Sequence, residues 1–393
     1  MTIVYPVNER MALRKARDAR ILRNARALSA KGHRVHLLIG RTGAGKEEIW
    51  DYYGVSPSEN LSIVQLPILK GQGRIRITVN KVFLWAAFLA ACKIHRTEPI
   101  RVFYFSVLEV AGFFLKRRKS FAGATFVYEL HELARYPENW NSSARHLKED
   151  AFEREVLSGM DGIFTTTETI RKVVAERYPR IPSETIPLGT TPTGENAWDP
   201  WGAGGRVKVG YLGQLYDAQG LDVFIKALAF LPRVEAHIIG GTAGEISPLK
   251  RMALDQGVDG RVVFHGFVNP GRTPEISRGM DIFVVPAKNT LRMNYVAHLK
   301  IYEYMGLGRP IVATRLRSVE EEVEDGRTGI LVPPDDPRAL ADGIQKLIQN
   351  PGWAEEIADR AFHHSARYHW ERRAERITAF IQSLNEVKRS GEN

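Results

Sequence analysis

Short apolar segments alternate with amphipathic segments along almost the whole chain. Compact apolar runs predict buried strands, of which Ile3–Tyr5, Val35–Ile39 and Arg101–Phe105 come first. Spaced apolar positions between them predict helices, including a basic helix over residues 11–30 and a strongly apolar helix over residues 80–95. This alternation is typical of α/β domains built on parallel sheets.

The alternation returns after a stretch rich in proline and glycine between residues 187 and 206. We therefore predict an α/β fold with two Rossmann-like, doubly wound parallel-sheet domains facing a cleft. A final helix from Trp370 has an apolar stripe that needs a partner. The predicted boundaries are residues 1–190 for the first domain, 191–206 for the linker, 207–368 for the second domain and 369–393 for a helix that packs back on the first domain.

Helix starts are predicted from capping pairs, in which a serine or threonine precedes a glutamate by three residues. Ser106 with Glu109 and Thr165 with Glu168 have this spacing, each directly after a predicted strand. The second domain is expected to contain strand Val207–Leu212 and a helix over residues 299–306.

Charge is uneven along the chain, which carries a net charge of +10. Residues 1–190 contain 30 lysines and arginines against 19 acidic residues, and the rest of the chain is close to neutral. An anionic membrane surface or a charged acceptor fits this excess, and so does a solvated basic face that serves solubility. Nucleic acid fits the sign of the charge, but no nucleic-acid motif accompanies it.

A single cysteine, Cys92, excludes a disulfide within the chain and favours a reducing, cytoplasmic location. The N-terminus lacks a secretory signal pattern. The longest purely apolar run, Val82–Cys92, is too short to span a bilayer, which needs about 18 residues. The protein is thus expected to be soluble or peripheral at the inner face of the membrane.

Glycine-rich loops mark a candidate nucleotide site in the second domain. Gly213–Gly220, Gly240-Gly241 and Pro286–His298 each follow a predicted strand. Because ligands of doubly wound folds bind beyond the carboxyl ends of the strands, these loops are expected to converge there. Glycines let backbone N–H groups approach a phosphate. Gly40–Lys46 resembles a P-loop, but Glu47 and Glu48 would repel phosphate, so we interpret it as a surface turn.

Polar residues outside the loops add candidate chemistry. His131 follows a predicted strand next to Glu129 and Glu132, where it could serve catalysis or be a core-edge histidine. Lys300 and Glu303 share one helix face, where they could bind phosphate and ribose or form a surface salt bridge. The lone cysteine and the absence of an H-x-x-x-H pair and of an Asp-x-Asp pair predict no metal and no other cofactor.

Five motifs in order resemble glycosyltransferase family 4, the large retaining family with the GT-B fold. The resemblance covers most of the chain and is strongest over residues 207–335. The motifs are the strand and glycine loop at 209–215, the second glycine loop at 238–241, the segment at 263–268, the helix and strand at 299–313, and the signature at 325–333. In the first half, residues 17–20 through 32–35 resemble the opening helix and strand of the family.

The resemblance implies a glycosyltransferase that moves a sugar from a nucleotide-sugar donor to a glycan or lipid-linked acceptor without a metal. The second domain would bind the donor and the first domain the acceptor, in polysaccharide or cell-envelope biosynthesis. His131 matches the family's histidine near the transferred sugar. The implied donor-binding residues are Gly213, Gln214, Gln219, Gly240, Gly241, Gly266, Phe267, Arg292, Lys300 and Glu303. The implied catalytic residues are His131, Glu303 and Lys300, and the acceptor-side residues are Arg17, Arg20 and Glu132.

Three departures from the family pattern concern the donor site and the glycine loop near the N-terminus. Gln214 and Gln219 stand where the family usually has an arginine and a lysine that face the diphosphate, and Tyr295 stands where a second glutamate is common. The family's glycine loop near the N-terminus is replaced by residues 6–9. A weak or inactive relative that acts as a binding subunit therefore stays open, as does a glycosidase that uses Glu129 and Glu132. The donor base, sugar and acceptor are not predicted.

Overall fold

The computed structural model describes residues 1–8, 16–42, 45–69, 80–138, 143–192, 201 and 205–390. They form two compact units, one of Met1–Pro187 with Trp370–Asn393 and the other of Leu188–His369. Part of the predicted linker, residues 193–200 and 202–204, lies outside the described residues. The same holds for residues 11–15 of the predicted basic helix.

The first unit is built on a seven-stranded sheet in which all pairs of neighbouring strands are parallel. Its strands are β1 (Thr2–Val7), β2 (Arg34–Gly40), β3 (Leu61–Leu66), β4 (Val102–Phe105), β5 (Thr125–Leu130), β6 (Gly162–Thr165) and β7 (Ser183–Thr185). The second unit contains a six-stranded parallel sheet. Its strands are β8 (Val207–Leu212), β9 (Val234–Ile239), β10 (Val262–Gly266), β11 (Ile282–Val285), β12 (Ile311–Thr314) and β13 (Ile330–Val332).

Helices connect the strands in both units. In chain order the first six are α1 (Ala16–Ala30), α2 (Lys46–Tyr53), α3 (Lys81–Thr97), α4 (Leu108–Leu115), α5 (Ala144–Leu157) and α6 (Glu168–Arg177). The others are α7 (Leu221–Ala227), α8 (Ala243–Asp255), α9 (Thr273–Arg278), α10 (Leu299–Gly306), α11 (Arg317–Glu320), α12 (Pro337–Gln349), α13 (Pro351–Ser365) and α14 (Trp370–Ser390). Within the described residues, no helix is long and apolar enough to cross a bilayer.

Both sheets have the strand order of a doubly wound Rossmann fold. The order is β3-β2-β1-β4-β5-β6-β7 in the first unit and β10-β9-β8-β11-β12-β13 in the second. In each sheet the chain winds outward in one direction, returns to the centre and winds outward in the other. This reversal creates a crevice at the carboxyl ends of the central strands, between β1 and β4 and between β8 and β11. The predicted fold class is confirmed.

The C-terminal helix α14 belongs to the first unit, as predicted. It packs against α1, and the residues of its apolar stripe are buried: Ala374, Ile377, Ile381 and Leu384. Its polar residue Arg373 is also buried, which the apolar stripe did not indicate.

The two predicted capping pairs are wrong at their first residue. Helix α4 begins after Val107, and the hydroxyl of Ser106 instead lies 3.1 Å from the hydroxyl of Tyr5. Helix α6 is capped by Thr167, whose side chain accepts from the amide of Ile170, while Thr165 donates to a backbone carbonyl. Both strands are followed by a short extended link, so each helix starts later than the spacing indicated.

Candidate functional site

The glycine loops of the second unit meet at the crevice between β8 and β11. The amide of Gly213 donates to Ile239, and the amide of Gly240 donates to Gly266, so the loops after β8, β9 and β10 are joined. A Cβ atom on Gly240 would lie 2.0 Å from the Gly213 carbonyl oxygen. Gly213 and Gly240 also have positive φ angles of 145° and 126°. A side chain at position 240 would clash with the neighbouring loop, and a side chain at either position would strain the backbone, so both positions need glycine.

Lys300 reaches this crevice from the first turn of α10. Its ammonium donates hydrogen bonds to the Gln219 side-chain oxygen and, at 3.0 Å, to the hydroxyl of Tyr211. It also lies 4.4 Å from the centre of the Tyr211 ring. A Cβ atom on Gly213 would be 3.6 Å from the Lys300 Nζ. The lysine therefore lies directly beside the glycine loop that follows β8, in which Gln214 and Gln219 replace the family's usual cations.

The environment of Lys300 is short of compensating negative charge. Both acceptors of its hydrogen bonds are neutral oxygen atoms, and burial lowers the pKa of Lys300 to about 7. The charge of Glu303, one turn later, opposes this shift. Burial and the nearby Lys300 also lower the pKa of His298 to about 4, so this ring is neutral and donates from Nε2 to the Met293 carbonyl. An ammonium in such a place is expected to attract an anion.

The two loops beside the crevice are tied together by polar contacts. The Lys288 ammonium lies 2.6 Å from Asp217 and 3.2 Å from Asp222, and the Lys288 amide donates to the Ala218 carbonyl. Arg292 is exposed and donates to the hydroxyl of Tyr216 at 3.4 Å. Lys288 is thus paired with two carboxylates, unlike Lys300.

The predicted donor residues do not all have the same environment. Gln219 is buried and bound to Lys300, whereas the side chain of Gln214 is exposed. The Gln214 carbonyl oxygen accepts from the Tyr211 hydroxyl at 2.6 Å. Partly buried residues complete the predicted set: Gly241 after β9, Gly266 and Phe267 at the end of β10, and Glu303 on α10. Helix α10 has no side-chain cap at its N-terminus and no acidic residue in its first turn.

In the first unit, His131 follows β5 and has both ring nitrogens beside charged groups. The Arg20 guanidinium donates to Nδ1 at 2.6 Å, and Nε2 lies 3.1 Å from a carboxylate oxygen of Glu129. Because Nδ1 accepts, the ring carries its proton on Nε2 and is neutral. Burial, followed by the charge of Arg20, lowers the pKa of His131 to about 4.

Arg20 is therefore brought together with His131. Arg17 is partly buried on α1, and Glu132 is exposed with the Tyr136 hydroxyl at 3.5 Å. Three residues after His131 in the chain, the Ala134 amide donates to the Glu153 carboxylate at 2.8 Å. Burial raises the pKa of Glu153 to about 7.

The P-loop-like turn does not offer a phosphate site. A carboxylate oxygen of Glu48 accepts from the Gly45 amide at 3.0 Å at the start of α2. An acidic side chain thus occupies the helix end that a phosphate would need. Gly43 and Ala44 lie outside the described residues.

Family models match both units of the chain. The model described as "Glycosyl transferases group 1" matches residues 206–350, and the one described as "Glycosyl transferase 4-like domain" matches residues 18–189. The two matches take in most of both sheets.

The chain belongs to glycosyltransferase family 4.

Known proteins similar to this transferase agree with that membership. The D-inositol 3-phosphate glycosyltransferase of Corynebacterium urealyticum is 26% identical over 291 residues, which cover 68% of either chain. Among solved structures, sucrose-phosphate synthase from Thermosynechococcus elongatus has a TM-score of 0.76 at 17% identity, covering 98% of this chain and 100% of that one. HepE from Anabaena, in complex with UDP and glucose, has a TM-score of 0.73 at 18% identity over the same shares. These structures share the GT-B fold of the transferase.

The environment of Glu129 is unfavourable for a glycosidase acid. The Arg373 guanidinium pairs with this carboxylate, and the Tyr104 hydroxyl donates to it at 2.5 Å. His131 and Arg373 hold the pKa of Glu129 well below its usual range despite the burial. A general acid needs a raised pKa, so Glu129, which is also buried, does not suit the acid role in a glycosidase.

Three residues of the transferase were missed by sequence reasoning: Tyr211, Arg373 and Glu153. Tyr211 was included in a motif only as part of a strand. A tyrosine at the carboxyl end of a strand that precedes a glycine loop is a usable signal, because its hydroxyl reaches the loop. No pattern among neighbouring residues indicated Arg373 or Glu153, since their partners are distant in the chain.

Proposed function

We propose that the protein is a retaining, metal-independent glycosyltransferase that transfers a sugar from a nucleotide-sugar donor. The second unit binds the nucleoside diphosphate part of the donor at the crevice between β8 and β11. Family membership and the glycine loops support this assignment. The single observation that carries it is the Lys300 ammonium, which lies beside Gly213 with neutral hydrogen-bond acceptors.

Lys300 supplies the charge that the reaction needs. During transfer the bond between the anomeric carbon and the diphosphate oxygen breaks, and an acceptor hydroxyl oxygen bonds to the same carbon. The hydroxyl proton leaves with the departing diphosphate or to solvent. Negative charge grows on the diphosphate, and a preorganised ammonium stabilises it, an effect typically worth about 10²–10³ in rate. Lys300 lies in contact with Gln219, so it compensates for the missing loop lysine and favours an active enzyme over an inactive subunit.

The other donor residues act on the remaining parts of the nucleotide. Glu303 accepts hydrogen bonds from the ribose hydroxyls, since a carboxylate can accept from two donors. The backbone at Gly266 and Phe267 contacts the base, and Gly240 and Gly241 admit the phosphates. Arg292 and the amides of Gln214 and Gln219 add donors near the diphosphate and sugar.

In the first unit, His131 supports the transferred sugar as a fixed, neutral ring. Its low pKa makes it unsuitable as a proton donor near neutral pH. Arg17, Arg20 and Glu132 contribute to the acceptor side. The acceptor is a glycan, a lipid-linked sugar or a phosphorylated polyol, since the relative from Corynebacterium urealyticum is named for inositol 3-phosphate and the first half of this chain is basic.

Calorimetry with UDP, GDP and ADP tests the donor site. Lys300→Ala and Glu303→Ala should each weaken the nucleotide that binds the parent protein, and Glu303→Ala should do so with or without an attached sugar. Lys288→Ala is the matched control, because that ammonium lies at the same sheet edge but is paired with Asp217 and Asp222. The nucleotide affinity of Lys288→Ala should remain within about threefold of the parent's, because the paired Lys288 ammonium offers little net charge to a ligand.

Two outcomes would contradict the proposal. If Lys300→Ala and Glu303→Ala bind every nucleotide like the parent, the donor site is wrongly placed. If sugar transfer or donor hydrolysis is lost in EDTA and restored by Mg²⁺, the metal-independent mechanism is wrong.

A further inference from the structure

An apolar surface covers the outward side of α3 in the first unit. In the described part of the chain, ten large hydrophobic side chains are exposed, and four of them lie on or beside this helix. Val82, Trp85 and Leu89 are 40%, 48% and 63% exposed at helical spacing, and we call them the α3 face. Leu69 joins them at the helix start, where its backbone is bound on both sides by the Asn80 side chain.

The opposite side of α3 is apolar too. Phe83, Leu84, Ala87 and Ala91 are buried in the first unit. Between Lys81 and Lys93, α3 is therefore apolar on both sides. A helix segment of this kind is normally buried all round, so α3 has one covered side and one side that still needs a cover. Isolated exposed hydrophobic residues are normal, but a contiguous group marks an interaction site.

The exposed indole is held in place rather than loosely attached. Trp85 packs edge-on against Phe113 and Phe88, with ring centres 5.4 Å and 6.0 Å apart. The Arg117 guanidinium lies 4.5 Å from the Trp85 ring and 3.7 Å from the Phe113 ring. The aromatic group is thus fixed with a cation at its side, which is the arrangement of an amphipathic anchor at a membrane interface.

Cations surround the α3 face, and α3 itself contains no acidic residue. Lys81 and Lys93 are exposed on the same helix, and Arg117 follows α4. Lys116 is also exposed, and its neighbour Glu155 lies 3.5 Å away. Two copies of this face in a symmetric dimer would bring their cations together, which opposes self-association. An anionic surface complements both the charge and the exposed apolar residues.

We propose that the α3 face docks the protein onto an anionic lipid surface. Val82, Trp85 and Leu89 enter the boundary between headgroups and acyl chains, and Lys81, Lys93 and Arg117 contact the phosphates. The basic helix α1 is a weaker candidate for this role, since its described arginines are all partly buried. Arg20 is bound to His131, and Arg26 donates to the Ser56 carbonyl.

Vesicle co-sedimentation with the full chain tests the docking surface. The probes are vesicles of phosphatidylcholine alone and of phosphatidylcholine mixed with phosphatidylglycerol. The parent should bind the mixed vesicles preferentially, and salt should weaken the binding. Trp85→Gln with Leu89→Gln should reduce binding at least about tenfold, because both side chains lose their insertion into the interface.

The second unit provides a matched control. Phe230 and Leu254 are 48% and 64% exposed, and Phe230 also has a cation nearby, with Arg338 at 5.0 Å from its ring. Phe230→Gln with Leu254→Gln removes the same kind of surface, and its vesicle binding should match the parent. Nucleotide affinity measured without lipid checks that each variant is folded.

Charge variants provide an independent measurement. Lys81→Gln with Lys93→Gln should weaken binding about 25-fold, since each cation near an anionic surface contributes about fivefold. The proposal is overturned if the parent does not bind anionic vesicles, or if the Trp85/Leu89 variant binds them as strongly as the parent does. It is also overturned if sedimentation equilibrium shows a dimer that this variant abolishes, because a second copy would then cover the face.

Discussion

Lys300→Gln should abolish most nucleoside diphosphate binding, and adding Gln219→Lys to it should restore most of the loss. The two side chains are in hydrogen-bond contact, so a lysine at position 219 can place its ammonium close to the present one. A unit charge about 4 Å from the ammonium contributes about 4 kcal/mol at an effective dielectric constant of about 20. Moving the ammonium away by about 2 Å leaves roughly two thirds of that energy.

The four proteins of this exchange are compared by calorimetry with the nucleotide that binds the parent. A neutral amide at position 300 still donates a hydrogen bond, so the expected loss for Lys300→Gln is about 2–3 kcal/mol, or about 30- to 150-fold in affinity. Gln219→Lys alone places two ammonium groups in contact, so we expect a lower melting temperature for that variant. If the double variant Lys300→Gln/Gln219→Lys folds but binds the nucleotide no better than Lys300→Gln does, then a cation at position 219 cannot replace the one at position 300. If Lys300→Gln binds like the parent, the diphosphate does not contact Lys300.

Three further predictions concern titration and stability. Anion binding should raise the Lys300 pKa from about 7, so nucleotide affinity should fall by up to about tenfold per pH unit above 7. Calorimetry measures this pH dependence, which should be absent in Lys300→Gln. Arg373→Met leaves the Glu129 carboxylate buried without its guanidinium partner and should cost about 3–5 kcal/mol in urea unfolding. Its exposed neighbour serves as control, since Arg372→Met should change the free energy of unfolding by less than about 1 kcal/mol. The folded-state pKa of Glu153 lies above its unfolded value, so the parent loses stability as pH rises from about 4.5 to 7. The free energy of unfolding of Glu153→Gln should therefore rise relative to the parent's over that pH range, by at most about 3 kcal/mol. The prediction is contradicted if the difference in melting temperature between the variant and the parent is the same at pH 4 and at pH 8.

Local patterns were sufficient to predict most individual elements. Strand Val207–Leu212 and helix α10 have the predicted bounds, because apolar runs and helical spacing depend only on neighbouring residues. Strand β3 was missed, since Ser62 and Gln65 interrupt its apolar positions. The order of the strands could not be predicted from such patterns, because it depends on pairing between distant segments. What was predicted of the sheets, that both are parallel and doubly wound, came from the alternation of strands and helices and from the family resemblance.

Side-chain partners were predictable only when they were close in the chain. Lys300 and Glu303 were placed on one face because three residues separate them on a helix. The contact of Lys300 with Gln219 joins residues 81 positions apart, and that of Arg373 with Glu129 joins residues 244 apart. Charge alone was a poor guide to position, since Arg20 belongs to the basic helix α1 but lies against His131 inside the first unit.

The contribution of α14 to the first unit has a consequence for synthesis on the ribosome. The buried Glu129 carboxylate emerges early, but its partner Arg373 follows only after the entire second unit. At about 5–20 residues per second, roughly 10–40 seconds pass between Pro187 and Trp370. During that interval the nascent first unit lacks both its final helix and the cation that neutralises its interior. The second unit, although later in the chain, is thus the first that can complete its fold, and loss of the last helix would damage the earliest-made part of the protein.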